Sequence, residues 1–381
     1  MRILFLSAAN SIHTVRWVNA LAKRGHEVHL VYNEGHDPEC DKIDGRIELH
    51  SLKYSGAKGY YLNAVALKKL TRNVRPDVIN VHYASGYGTL ARRSKIGPYL
   101  LSIWGSDVYD FPYHGKINKY ILRKNVENAK ILASTSECMA NQLRKVLEKP
   151  TLEIGITPFG VDLERFKMEG VPMKEDGTIL IGNIKTLEPV YRIEDLINAT
   201  RVLKNNLENK QLSDISNKIR VHIYGDGRLR GELEQLICKL SLEDTVYLKG
   251  RIPNEDVPDI LNKFDVFCAT SEKESFGVSV VEAMAMEIPV VVSDAEGFKE
   301  VVEDTKNGFV VPCGNIKVIA EKLERLVLDV RLREQFGKEG RKRVEKLYEW
   351  EKNVDTMEKL YKQLRELKKE KNYETNIIEK N

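Results

Sequence analysis

The feature that most constrains this chain is a repeated alternation: a short apolar run, then a longer segment whose apolar residues recur at helical spacing. The run 3–7 is followed by Val15, Val18, Leu21 and Ala22, and Gly25 closes that segment after Lys23 and Arg24, a common way for a helix to end. Strands are predicted at 28–32, 77–81, 99–103 and 130–133, and in a second series at 179–184, 219–224, 246–248, 266–268 and 290–292. Ile316, Ile319, Leu323 and Leu326 then mark an amphipathic helix. Strands separated by helices form parallel sheets covered on both faces. A chain of 381 residues exceeds one ordinary core, so two doubly wound sheets in tandem are expected. The connection falls in 157–174, where Pro158, Gly160, Gly170 and Pro172 punctuate the chain. The predicted division is 1–165 and 166–345, with 346–381 returning to the first domain. Trp350, Val354, Met357, Leu360, Tyr361 and Leu364 predict a final helix, fraying from Glu366 onward.

Hydrophobic residues at 42% and charged residues at 30% fit a globular protein rather than a disordered or membrane-embedded one. No apolar run is long enough to span a bilayer, and the N-terminus reads as a strand rather than a signal peptide. Cys40, Cys138, Cys238, Cys268 and Cys313 lie far apart, as reduced cytoplasmic thiols do. His26, His29, His36 and Cys40 are near one another in sequence, but His29 falls within a predicted strand. No structural zinc is expected there. Residues 1–168 carry 25 Lys and Arg against 16 Asp and Glu, whereas the whole chain has 60 against 56. The basic surplus therefore belongs to the first part, and it suits either a solvated face or an anionic surface. Nothing in the pattern calls for nucleic acid.

Open parallel sheets bind ligands beyond the carboxyl ends of their strands. After 266–268 comes a segment with Glu274 in a loop and Glu282 in the helix that follows. Backbone N–H groups of Phe276, Gly277 and Val278 would open that helix, where free donors and the positive end of the dipole suit phosphate or sugar oxygens. Carboxylates are two-oxygen acceptors for paired hydroxyls. Gly225 and Gly227 flank Asp226 in a turn after another strand, and Glu300 follows the strand 290–293. Each feature alone has an ordinary structural reading, as a turn or a solvated helix face.

In order, however, they form a recognisable set. The segment from Glu274 to Val292, with its E-x7-E spacing, resembles the group 1 (family 4) retaining glycosyltransferases. Pro158 to Phe166 resembles the family's interdomain signature, Gly225-Asp226-Gly227 its glycine turn, and Gly297 with Glu300 and Gly308 its closing segment. Ser11 to Leu21 is similar to the start of many polysaccharide-assembly members. The resemblance implies the GT-B fold: two facing Rossmann-like α/β domains, a donor site in the second, an acceptor site in the first, and a last helix crossing back. Carried over by position, Glu282 holds the donor ribose, while Glu274 and the 276–278 backbone grip the transferred sugar. The resemblance also implies lipid-linked or glycan acceptors, and with the basic first domain it suggests peripheral attachment to an anionic membrane from the cytoplasm.

Two departures stand out. The family's Gly-Arg pair falls on Lys185 and Thr186, and its Lys falls on Tyr191, leaving Lys185 and Arg192 as the nearest cations for the leaving diphosphate. In the first domain, Trp104-Gly105-Ser106-Asp107 resembles an "HGxD" segment with Trp in place of His. Asp107 is then a candidate to orient the acceptor or its loop, and His13, His82 and Trp104 are candidates for the acceptor side. The expected reaction is sugar transfer with the acceptor entering on the leaving group's face and the departing phosphate taking its proton. Placement and charge stabilisation are the enzyme's part. The chain has no Asp-x-Asp, so no cofactor and no obligatory metal are expected. A nucleotide-sugar 2-epimerase of the same architecture is the alternative. A dinucleotide dehydrogenase is disfavoured because Ser7 to Ser11 replaces G-x-G-x-x-G.

Overall fold

A computed structural model describes residues 1–168, 170 and 177–378, with side chains through residue 369. Pro172 and Lys174 of the predicted connection lie outside the described residues. The chain divides into two compact units, one formed by Met1–Phe159 with Glu351–Asn381 and the other by Gly160–Trp350. The crossing falls before 165 because Val161 and Phe166 belong to the second unit. Val161 exchanges backbone hydrogen bonds with Tyr348 and Trp350, and the Phe166 carbonyl accepts from Arg341 at 2.6 Å.

The first unit is built on β1 (Arg2–Leu6), β2 (Glu27–Asn33), β3 (Glu48–Leu52), β4 (Val78–His82), β5 (Leu100–Ile103), β6 (Ile131–Ser134) and β7 (Gly155–Ile156). Its sheet is seven-stranded in the order β3-β2-β1-β4-β5-β6-β7, and each pairing is parallel. The second unit carries β8 (Ile179–Ile184), β9 (Ile219–Tyr224), β10 (Val246–Gly250), β11 (Val266–Ala269), β12 (Val290–Ser293) and β13 (Gly308–Val311). Its six strands run β10-β9-β8-β11-β12-β13, again all parallel. Both are doubly wound sheets. β1, β4, β11 and β12 are almost wholly buried, as strands covered by helices on both faces must be. β3, β7 and β13 were not anticipated from sequence. β3 is an edge strand with four polar or exposed positions before Leu52, and β7 has only two residues, so neither has the periodicity that marks a strand.

The final helix runs Trp350–Ile378, past the point at which fraying was expected; the segment after Trp350 contains no Gly or Pro to break it. It lies on the first unit. Val354, Met357, Tyr361 and Leu364 are buried, and Tyr361 Oη accepts from Asn80 Nδ2 of β4 at 2.7 Å. Arg24 pairs with Glu351 at 2.7 Å and with Asp355, while Lys368 Nζ donates to the Pro76 carbonyl.

Candidate active site

Each sheet has one place where the strand order reverses, between β8 and β11 in the second unit and between β1 and β4 in the first. Loops leave in opposite directions at such a switch point and open a crevice above it. In the second unit Lys185 directly follows β8 and Glu274 lies in the loop after β11. The structure brings them together, with Lys185 Nζ 2.6 Å from Glu274 Oε2. The ammonium also lies 4.4 Å from the centre of the Tyr191 ring. The position that the sequence reading matched to the family lysine is thus taken by a tyrosine ring with the Lys185 ammonium at its side. Three N–H donors on the ammonium exceed what one carboxylate oxygen and a ring face can use.

The loop bearing Glu274 is fixed from behind. Gly297 N–H donates to the Glu274 carbonyl at 2.9 Å, and a Cβ at Gly297 would fall 2.5 Å from Phe276 N. Only glycine permits that approach, and no local sequence signal marks it. The Phe276 ring is 1% exposed and packs edge-on against Tyr348; it anchors the loop, leaving its backbone as the part that can face a ligand. Gly277 takes a left-handed φ of 98° and caps the helix Val278–Ala285. Val280 and Val281 N–H already donate to the Gly277 carbonyl, so the groups that point outward belong to the turn before them. Glu282 lies within this helix and is half-buried.

Other second-unit candidates are placed differently from the sequence reading. Gly225 and Gly227 meet the protein's own chain: Cβ atoms there would lie 1.9 Å from the Lys185 carbonyl and 2.5 Å from that of Leu187. With Lys185 N–H donating to Tyr224 O and Leu187 N–H to Asp226 O, the glycine turn sets the path on which Lys185 is carried. Arg192 is taken up by Asp195, which it binds at 2.6 and 3.0 Å. Asp195 is 3% exposed, and losing its partner would strand a buried charge. Arg192 is therefore a weaker source of charge for a ligand than Lys185. Glu300 is half-buried in the helix Glu296–Val301, and its carbonyl accepts from Arg343 and Tyr348.

In the first unit, His13 opens the helix Ile12–Lys23 and its ring stacks on Phe159 at 3.8 Å. Trp104 meets His13 at 5.7 Å, His82 at 4.1 Å, Tyr83 at 5.2 Å and Phe159 at 5.7 Å, all with tilted or perpendicular rings. Phe159 and Tyr83 were not singled out by sequence; Tyr83 carries an uncommon left-handed φ of 67°, which no motif announces. Burial, with a smaller push from Arg16, lowers the His13 pKa to about 4. Burial likewise drives His82 well below its ordinary value. Both rings are therefore neutral near pH 7. Neither His82 nitrogen has a partner among the described residues, and at 0% exposure the ring lies behind Trp104, not at an acceptor surface.

Of the two readings of Asp107, acceptor or loop, the structure supports the loop. The residue is wholly buried, with Oδ2 accepting from Ala84 N–H at 2.8 Å and Oδ1 from Gly105 N–H at 2.8 Å and Trp104 N–H at 3.2 Å. The carboxylate ties the loop after β4 to the loop after β5. It positions Trp104 and leaves no oxygen for a reacting group.

Comparison with known proteins fits this arrangement. Residues 165–343 match the family described as glycosyl transferases group 1, and residues 2–136 match glycosyl transferase 4-like proteins. The chain is 25% identical over 359 residues to N-acetyl-alpha-D-glucosaminyl L-malate synthase of Bacillus anthracis, covering 90% of each. It is 29% identical over 186 residues to poly(ribitol-phosphate) alpha-N-acetylglucosaminyltransferase of Staphylococcus aureus, covering 49% of this chain and 36% of the other. Among solved structures, sucrose-phosphate synthase from Thermosynechococcus elongatus superposes with a TM-score of 0.79 at 19% identity, covering 96% of this chain and 99% of that one. Anabaena HepE in complex with UDP gives 0.76 at 18% identity, over 96% and 100%. These likenesses are to transferases and synthases, and the epimerase alternative is not favoured.

Proposed function

The chain belongs to the group 1 glycosyltransferases and has the GT-B fold, and on that premise we propose that it is a retaining enzyme of surface-polysaccharide assembly. It would move a hexose-type sugar from a UDP-linked donor to a glycan or lipid-linked acceptor. The observation that carries this reading is the Lys185–Glu274 pair at the switch point of the second sheet. In the proposed complex Lys185 turns to the diphosphate and neutralises charge as it leaves, and Glu274 is released to accept from sugar hydroxyls. Glu282 receives the ribose hydroxyls, and the start of the helix Val278–Ala285 adds its dipole. The acceptor oxygen bonds to the anomeric carbon as the bond to the phosphate oxygen breaks, and that phosphate takes the acceptor proton. The first unit offers the acceptor a neutral aromatic surface at His13 and Tyr83, backed by Trp104, which is buried and not at the acceptor surface as the sequence reading had it.

Support for UDP comes from HepE, crystallised with UDP and with UDP-glucose. Support for a surface glycan comes from similarity to a capsular polysaccharide biosynthesis glycosyltransferase of Staphylococcus aureus, 27% identical over 216 residues. No obligatory metal is proposed for transfer, since the chain lacks Asp-x-Asp and has Lys185 available. The test is titration calorimetry of UDP and GDP without added metal, on wild type and Glu282→Ala. UDP is expected to bind, with affinity lost by about tenfold or more in the variant, as for a charged hydrogen bond. Binding of GDP alone, or UDP binding unaffected by the variant, overturns the assignment.

A further inference from the structure

At the other end of the first sheet, the parallel register sets His29 of β2 opposite Glu48 of β3, with His50 two residues further along the same face. His29 Nδ1 lies 3.0 Å from His50 Nε2 and 3.2 Å from Glu48 Oε2, and the last two atoms are 3.9 Å apart. On its other nitrogen, His29 Nε2 lies 3.2 Å from Glu27 Oε1, and Glu27 is itself held by Arg2 at 2.6 Å.

The proton inventory makes this cluster unusual. A carboxylate only accepts, so Glu27 fixes the hydrogen of a neutral His29 on Nε2 and leaves a lone pair on Nδ1. That lone pair faces Glu48 Oε2, also an acceptor, and His50 can supply one hydrogen at most. Three electron-pair donors thus converge with too few protons to separate them. A tetrahedral zinc ion at about 2.0–2.1 Å from its ligands sets ligand atoms about 3.3 Å apart, close to the observed triangle. A carboxylate behind the distal nitrogen of a ligating histidine is the usual support for such a site. His29 is buried, His50 half-buried and Glu48 exposed, leaving a fourth position open to water.

We propose that His29, Glu48 and His50 bind a divalent transition metal of the zinc class, with Glu27 orienting His29. The ion would pin edge strand β3 to β2. The ligands start from the amino ends of these strands, whereas the Lys185–Glu274 pair follows the carboxyl ends of strands in the other unit, so this is not a site for sugar transfer. His26, His36 and Cys40 do not contribute: His26 pairs with Glu358, His36 with Tyr87, and Cys40 is exposed on the following turn.

The test is calorimetric titration of the full chain with Zn²⁺, with thermal unfolding followed in parallel. One ion per chain and a raised melting temperature are expected. His50→Ala and Glu48→Gln, both at the edge strand, should each weaken binding at least ~10-fold, and Glu27→Gln roughly 10–100-fold. Cys40→Ser should bind as wild type, and UDP affinity should be unchanged in His50→Ala. If Zn²⁺ does not bind, the proposal fails. Binding untouched by both His50→Ala and Glu48→Gln, or abolished by Cys40→Ser, overturns it as well. Loss of UDP binding alone would strike the proposed transferase site and not this one.

Discussion

Single residues in this protein divide into those whose charge is available and those whose charge is committed. Lys185 and Arg192 look equivalent in sequence, but only Lys185 combines partial exposure with a partner a ligand can displace. Removing one charge that stabilises a leaving group costs ~10²–10³ in kcat, the effect expected for Lys185→Met in a sugar-transfer assay. Arg192→Met should cost less than about tenfold in kcat, while lowering the melting temperature because buried Asp195 loses its partner. Equal losses of kcat would argue that Arg192 leaves Asp195 during the reaction. The half-buried His13 and the buried His82 make a second prediction. Their folded pKa values lie below the unfolded 6.5, with His13 near 4, so the unfolded chain takes up protons first as pH falls. Their contribution is intact above pH 6.5 and shrinks on acidification; that of His13 falls by at most ~3 kcal/mol and levels near pH 4. Denaturant melts of wild type and His13→Phe between pH 7 and 4 test this. The variant keeps the stacking on Phe159 and should show a shallower pH slope; parallel slopes would refute the burial of a neutral imidazole.

At the scale of elements, what sequence could read was set by where each residue's constraint comes from. Strands such as β1 and β12 announce themselves because both faces are covered and the run is continuously apolar. The helix Val278–Ala285, with Glu274 in the loop before it and Glu282 within it, was legible because helix starts have local chemistry. The role of Gly297 was not, since the reason for it is a backbone 20 or so residues away that only folding brings within reach. His82 was placed correctly at a strand end, but sequence could not tell an exposed edge from one covered by Trp104; for Asp107 it left acceptor and loop open, and the backbone partners that decide for the loop lie partly in another strand's loop. The element with the plainest unmet surface is the helix Lys116–Asn128 with the turn before it. Tyr113, Ile117 and Tyr120 are 64%, 73% and 60% exposed, and Lys116, Lys119, Arg123 and Lys124 are interleaved with them. Aromatic and aliphatic groups among cations suit an anionic bilayer surface, each nearby cation adding about 1 kcal/mol. Flotation with vesicles containing phosphatidylglycerol should recover wild type, and Ile117→Glu with Tyr120→Glu should reduce recovery several-fold. Recovery that ignores both the lipid charge and the substitutions would exclude this helix as the attachment face.

The whole molecule is two folding units with unequal continuity. The second is one stretch, Gly160–Trp350, with its own core joining Leu196, Ile223, Val266, Val291, Leu323 and Phe336. The first needs two stretches, because the final helix supplies Val354, Met357, Tyr361 and Leu364 to a sheet whose β4 already commits Asn80 to Tyr361. Burying four large apolar side chains is worth roughly 1.5–3 kcal/mol each, comparable to the net stability of a small domain. Residues 160–350 alone should therefore melt cooperatively and bind UDP within about tenfold of the intact chain. Residues 1–159 alone should be largely unfolded until a peptide spanning 351–378 is added. Circular dichroism melts and calorimetry on the separate fragments decide both points. A stable 1–159 fragment would mean that the last helix covers the sheet without holding it together. Failure of 160–350 to bind UDP while it melts cooperatively would mean that the Lys185–Glu274 site, although built from one unit, does not suffice for the donor.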